Sequence, residues 1–374
     1  MAKALIVGGG IAGLSSAWAL ARRGFAVELF EQGPLPNSRS SSYDEHRIIR
    51  HAYGEMEGYA HLMPEAFATW ERLWRETGRR HFESLPALYI LREDDDAGWY
   101  EPAARSLGAM HIGFRDIPLD DAPRLLPMVN LDGASRLVET EGAGMLFPSR
   151  ILTDLVLLLA RLGVRLHADA RVQRVDPERG TLRADGHEHG GDVVVVAAGA
   201  WADRLVPGLR GVAVPSRQAV IYLAPPPELV AAWDAAPVII DFGRHSRTYT
   251  LPPRQGTRLK VGDHIFTRRG DPDEDRAATD ADADPLWAAA QRTYRGLDRY
   301  AVLERRACFY TVTEDERFIL RPIGPRGWVC SACSGHGFKL GALMGEAVAR
   351  GVAGDVVPAH LADWAAGRIV PGAA

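Results

Sequence analysis

The chain has 374 residues, 47% hydrophobic and 25% charged, with a formal net charge of −4 at pH 7 and a pI near 6.3. That length implies two domains with sizeable cores, and the near-neutral balance argues against nucleic acid as a partner. Three cysteines, Cys308, Cys330 and Cys333, are too few and too odd in number for a secreted disulfide scaffold and fit a reducing cytoplasm.

Residues 3–32, KALIVGGGIAGLSSAWALARRGFAVELFEQ, read as strand, glycine turn, helix and second strand. Gly8, Gly10 and Gly13 form G-x-G-x-x-G, whose glycines permit a tight turn, the approach of a pyrophosphate to bare backbone and close helix-to-strand packing. The helix N-terminus then faces the phosphates, and Ile11 and Ala12 are assigned to the cofactor site with the glycines around them. Glu31, ending the second strand, is placed to bind a ribose hydroxyl, which disfavours a 2′-phosphate. The pattern predicts a dinucleotide without choosing between FAD and NAD. The same opening has a lysine, an apolar stretch and small residues, as a signal peptide does, but its glycines fit the nucleotide turn and it is read as mature protein.

Residues 46–55, HRIIRHAYGE, gather His46, Arg47, Arg50 and His51. On a helix Arg47 would lie beside Arg50 and His51, at a cost of roughly 0.2–0.5 kcal/mol per like-charge pair. An anionic ligand would relieve it; the plainer alternative is a solvated face partnered by Glu45 and Glu55. The acidic runs at 93–96 and 271–284 read as solvated loops or helix starts. The apolar run at 151–164 is broken by Asp154 and Arg161 and falls short of the about 18 residues of a membrane span. DVVVVAAGAWADRL at 192–205 predicts a parallel strand buried on both faces, with Gly199 in an end small enough for a cofactor to approach. WVCSACSGHGFKLGALMGEAVA at 328–349 is again a strand, a loop with Gly335 and Gly337, and a helix. Cys330 and Cys333 form C-x-x-C, but no second pair or histidine cluster accompanies them, so no metal site is expected. A nucleotide site built from the first and last segments of a chain is typical of FAD proteins whose flavin ring lies between the sheet and an inserted domain.

HRIIRHAYGE, LKVGDH at 259–264, CFYTVTEDERFIL at 308–320 and SGHGFK at 334–339 together resemble the monomeric sarcosine oxidase and N-methyltryptophan oxidase family, in matching order over nearly the whole chain. The resemblance implies an α/β fold, α+β overall. A discontinuous Rossmann-like FAD domain (1–85, 145–215 and 320–374) would carry an inserted substrate domain built on a mixed sheet (86–144 and 216–319). It places Cys308 where the family attaches FAD through a thioether, and Lys260 above the flavin, where a cation promotes reaction with oxygen. It puts His264 beside the substrate amine and Tyr249 and Tyr310 in the pocket lining. Arg50 and Lys339 would bind the substrate carboxylate. Arg47 would lie close to the flavin, with Val172, Phe338 and Lys339 among the cofactor contacts. Cys330 and Cys333 match no required family cysteine and are read as packing residues. One departure stands out: the family's His-Gly-Asp-Thr type run before Arg47 is here Tyr43, Asp44, Glu45 and His46.

The expected activity is oxidation of a small amino or imino acid with a secondary amine, either N-methylated or cyclic, giving an imine and hydrogen peroxide. The partners are that substrate and molecular oxygen, with no membrane and a monomeric protein. Two other readings stand beside it: a pyridine-nucleotide disulfide reductase using Cys330 and Cys333, which would need a second nucleotide-binding domain although the chain holds no second G-x-G-x-x-G, and a flavin-holding interaction protein without turnover.

Overall fold

The computed structural model describes residues 1–93 and 98–370; most of the acidic run at 93–96 lies outside them. Val193–Val196 is a strand with no residue more than 7% exposed, as β-branched side chains covered on both faces require. It pairs in parallel with Lys3–Val7 on one side and Gly327–Ser331 on the other. Ala26–Phe30 and Arg165–His167 extend the sheet beyond Lys3–Val7, and Ile319–Gly324 closes the opposite edge antiparallel. The sheet therefore joins the start, the middle and the 319–331 region of the chain. Its helices pack tightly: a Cβ on Gly345, in helix Gly341–Val352, would stand 2.4 Å from the carbonyl carbon of Ser15 in helix Ile11–Arg22. The 151–164 run falls within helix Pro148–Arg161 and its turn, where Ile151, Leu152, Leu155 and Leu159 are buried in the same core.

A second, mixed sheet has eight strands, contributed by residues 87–140 and 214–312. Its edge strand Ala301–Val312 pairs with Val214–Ala224, followed by Leu259–Asp263, Thr248–Leu251 and Val238–Asp241. Val238–Asp241 runs parallel to Ala87–Arg92, and the other pairings are antiparallel. Helix Asp280–Thr293 lies against this sheet, started by a capping box between Thr279 and Asp282, so the 271–284 acidic run does contain a helix start. The architecture is the α/β arrangement with mixed sheets expected from the sequence.

The helical reading of HRIIRHAYGE is wrong. Arg47–Ile49 is a strand paired with Gly144–Leu146, which also pairs with Phe82–Ser84, and the next helix begins at Glu57. Side chains alternate along a strand, so Arg47 and Arg50 go to different partners and the like-charge crowding disappears. Among the described residues no helix is long and apolar enough to cross a membrane, and no group of three or more His, Cys, Asp or Glu could hold a metal ion.

Candidate active site

The glycine turn is as tight as its sequence demands. Gly8 has φ 108°, and a Cβ there would lie 2.4 Å from the Ala197 carbonyl oxygen; a Cβ on Gly13 would lie 1.9 Å from the Gly8 oxygen. Beside this turn opens a cavity of about 610 Å³. Gly8, Gly10, Ile11, Ala12, Glu31, Arg47, Val172, Gly199, Gly335, Gly337 and Phe338 all line it, so three segments far apart in sequence meet at one wall. Gly13 stands behind the turn and does not line the cavity. Glu31 is buried and already engaged: its carboxylate accepts the Gly9 and Gly33 N–H groups at 2.6 and 3.1 Å and the Asn37 amide at 2.8 Å. Sequence reasoning passed over Ser40, Ser41 and Ser42 on the same wall, where Ser42 Oγ accepts the Ile11 N–H at 3.0 Å. The hydroxyl-rich run SRSSS at 38–42, which follows the loop after the second strand, was the available signal. Cys330 and Cys333, read as packing residues only, also stand on the wall, and all three cysteines are unpaired. Ser331 Oγ, another wall residue, is buried without a hydrogen-bond partner. An extended cavity with bare glycine backbone, a helix N-terminus and an unsatisfied hydroxyl fits a dinucleotide such as FAD.

A second group gathers around Tyr53. The Arg50 guanidinium carbon lies 5.2 Å from the Tyr53 ring centroid and the Lys339 ammonium 4.9 Å from it. Lys339 is 6% exposed, and burial, reinforced by the charge of Arg50, holds its ammonium well below the usual lysine range. Arg50 donates to the Ala52 carbonyl. Among the described residues neither cation has a carboxylate partner. The Tyr249 and Tyr310 hydroxyls are 3.5 Å apart, and the His264 ring is tilted against Tyr249 at 5.1 Å. His264 is exposed, and its imidazole is pushed down by the protein packed around the ring and by the charges of Arg50, Lys339 and Arg247.

The third group is buried deeper. Lys260 has no exposed surface; its ammonium donates to Asp44 Oδ2 at 2.6 Å and to the His46 carbonyl at 3.3 Å. Asp44 also accepts from the Arg47 guanidinium, the Tyr222 hydroxyl and, at 2.7 Å, the Glu45 N–H. Burial would raise the Asp44 carboxyl, but Arg47 and Lys260 outweigh it and hold the group far below the carboxylate range. Burial and Arg47 push Lys260 down to about 8 against the pull of Asp44. Glu45, the expected acid beside Arg47, instead pairs with Arg258. Neither Asp44 nor Tyr222 was singled out for a role from sequence: Lys260 and Asp44 are 216 positions apart. Cys308 shares its strand with Tyr310 and is 8% exposed, but does not itself line the cavity; burial pushes its thiol up, while Arg47 pulls it the other way.

A parallel sheet opening on a glycine turn, with a long cavity bounded by its strand ends, defines a dinucleotide-binding protein. Residues 3–350 match the family described as FAD dependent oxidoreductase, and the chain belongs to that family. It is 28% identical to peroxisomal sarcosine oxidase of Mus musculus, over 92% of this chain and 90% of that protein. It is 23% identical to N-methyl-L-tryptophan oxidase of Yersinia pestis, over 92% and 93%. Both bear out the resemblance drawn from the four sequence segments. The structure of L-proline dehydrogenase from P. horikoshii, 18% identical, superposes with a TM-score of 0.80 over 98% of this chain and 97% of that one.

Proposed function

We propose that this FAD-dependent oxidoreductase is an amine oxidase acting on a small amino or imino acid with a secondary amine and a free carboxylate. The observation that carries the reading is the pair Arg50 and Lys339: two cations over one tyrosine ring, one of them buried, with no carboxylate beside either among the described residues. A buried charge left unpaired is costly, and a substrate carboxylate offsets that cost. The guanidinium fork supplies two parallel donors and Lys339 a point charge.

The 610 Å³ cavity is the FAD site in this reading, with the strands at 87–140 and 214–312 forming the substrate domain. FAD when bound accepts a hydride equivalent from the carbon next to the substrate nitrogen and passes the electrons to oxygen, which yields hydrogen peroxide. The chain's own residues hold the substrate for that transfer. Arg50 and Lys339 fix the carboxylate, Tyr249 and Tyr310 supply the apolar wall with hydroxyls at its edge, and His264 stands where a ring nitrogen can accept a hydrogen bond from the amine. The imine product is then hydrolysed, or released if cyclic. Cys308 is the proposed point of covalent attachment. Names of relatives support the secondary-amine class: sarcosine and N-methyl-L-tryptophan are both N-methyl amino acids.

The test is a panel of sarcosine, N-methyl amino acids, proline, pipecolate and primary amino acids, followed anaerobically by flavin bleaching and in air by peroxide release. Bleaching by secondary-amine acids, and none by amines lacking the carboxylate, is the expected outcome. Bleaching independent of the carboxylate would overturn the role of Arg50 and Lys339.

A further inference from the structure

The face of the second sheet that carries His264 holds one more cation than the proposed function uses. Thr248 and Tyr249 stand opposite Asp263 and Gly262 in the antiparallel pairing of their strands. The next pair in that register is Arg247 with His264, and the His264 N–H donates to the Arg247 carbonyl at 3.1 Å. Directly opposite residues share a face and alternate residues return to it, so Arg247, Tyr249, Gly262 and His264 lie on one side. The Tyr249 ring shows which side it is: a Cβ on Gly262 would come within 2.5 Å of that ring, and the His264 ring lies 5.1 Å from it.

Three loops bring charge to the open edge of this face. Arg247 ends the first. Arg268, in the second, follows Phe266, whose ring meets Tyr310 edge-on at 6.3 Å. Glu316, in the third, accepts from His336 Nε2 at its carbonyl at 3.0 Å, and His336 Nδ1 lies 3.3 Å from the Tyr53 hydroxyl, beneath Arg50 and Lys339. Arg247, Arg268 and Glu316 have φ of 44°, 51° and 58°, a left-handed backbone that favours glycine and that proteins keep in other residues mainly where a ligand is gripped. Arg268 donates to the Glu314 carbonyl at 3.1 Å. Among the described residues the Arg247 guanidinium has no hydrogen-bond or ion-pair partner, and the Glu316 carboxylate pairs with neither arginine. Burial pushes the Glu316 carboxyl up while Arg268 and Arg247 pull it back, and Arg247 joins Arg50 and Lys339 in lowering the His264 imidazole. One substrate carboxylate engages Arg50 and Lys339 and leaves Arg247 without an anion.

We infer that Arg247 is a specificity-determining residue that takes a second anionic group, so that the preferred substrate is a secondary-amine amino acid with two carboxylates. The inference rests on the amine-oxidase reading of the site. The guanidinium fork offers a carboxylate two parallel donors, and a cleft lined by cations concentrates a dianion over a substrate of lower charge. The second carboxylate is carried on the side chain or on the group attached to nitrogen.

Two matched pairs of compounds test it on the flavin-loaded protein, through the concentration that half-saturates anaerobic flavin bleaching. N-methyl-L-glutamate against N-methyl-L-glutamine reads charge on the side chain, and iminodiacetate against its monoamide reads charge on the nitrogen substituent. In at least one pair the acid should half-saturate at about one tenth of the concentration its amide needs, the gain of one charge-assisted bond. Arg247→Gln should bring that ratio below about threefold, and Arg247→Lys, which keeps the charge, should restore most of it. A ratio near one in both pairs, or a ratio that survives Arg247→Gln, would overturn the inference while bleaching itself leaves the proposed function standing. Absence of bleaching by sarcosine and by all of these compounds would overturn the proposed function and the inference with it.

Discussion

At the scale of single residues, Lys339 joins the proposed function to stability. Its ammonium is buried with no counter-ion among the described residues, which destabilises the ligand-free protein and is retained only if a ligand needs it. Its pKa is depressed in the folded state, so the penalty is fully present at low pH and is relieved as pH rises toward the unfolded lysine value. Lys339→Met should therefore raise the melting temperature of the ligand-free protein at pH 7, while the added stabilisation by a carboxylate ligand is lost; a thermal melt with and without pyrrole-2-carboxylate reads both. Arg50→Ala should weaken the same ligand by about two orders of magnitude, since charge-assisted bonds contribute roughly 1.5–3 kcal/mol each. Titration calorimetry on the flavin-loaded protein measures it, and a change under threefold would remove Arg50 from the site. For Cys308 the expected result is yellow colour retained in the acid-precipitated pellet, and colour released to the supernatant by Cys308→Ser.

At the scale of elements, the helix that follows the glycine turn is held by contacts with no slack. Gly13→Ala would bring a methyl to 1.9 Å from the Gly8 carbonyl, a distance that forces strand Lys3–Val7 and helix Ile11–Arg22 apart. Flavin content should fall to near zero while the far-UV circular dichroism changes little; normal flavin content would show that the turn can open. Elements of this kind were legible in the sequence because their chemistry is local. The glycine spacing and the four valines at 193–196 each specify backbone geometry within a few positions. Arg47–Ile49 was not legible: three residues are too short for an alternation to register, and the strand exists because Gly144–Leu146 receives it. The charges were considered on a helix, where tertiary pairing makes a strand. The candidate site divides in the same way. The glycines on the wall could be read directly, and Arg50 and Lys339 through resemblance. Asp44 bonded to Lys260, and Cys330 and Cys333 on the cavity wall, depend on chain crossings that no local pattern encodes.

At the scale of the whole molecule, burial of histidine sets an acid limit. His46 has no exposed surface and is pushed down to about 4 by burial and by Lys260; His51 is lowered by burial as well. Between the ordinary histidine range and those depressed values the unfolded chain takes up protons that the folded one refuses, so stability falls as pH falls through that window. For His46 the full effect is on the order of 3 kcal/mol. The melting temperature should drop steadily from pH 7 to pH 4.5, and His46→Gln should flatten the slope; a flat profile in the parent protein would show that these rings protonate without unfolding. The central sheet has a consequence of a different kind. Lys3–Val7 has a local neighbour on one side, Ala26–Phe30, but on the other it depends on Val193–Val196, which is covered in turn by Gly327–Ser331, and Ile11–Arg22 is closed by Gly341–Val352. During synthesis on the ribosome, the glycine turn emerges more than three hundred residues before the segment that supplies its last wall. A nascent chain arrested short of residue 341 would lack one wall of that cavity and would expose the face of Ile11–Arg22 that Gly341–Val352 covers.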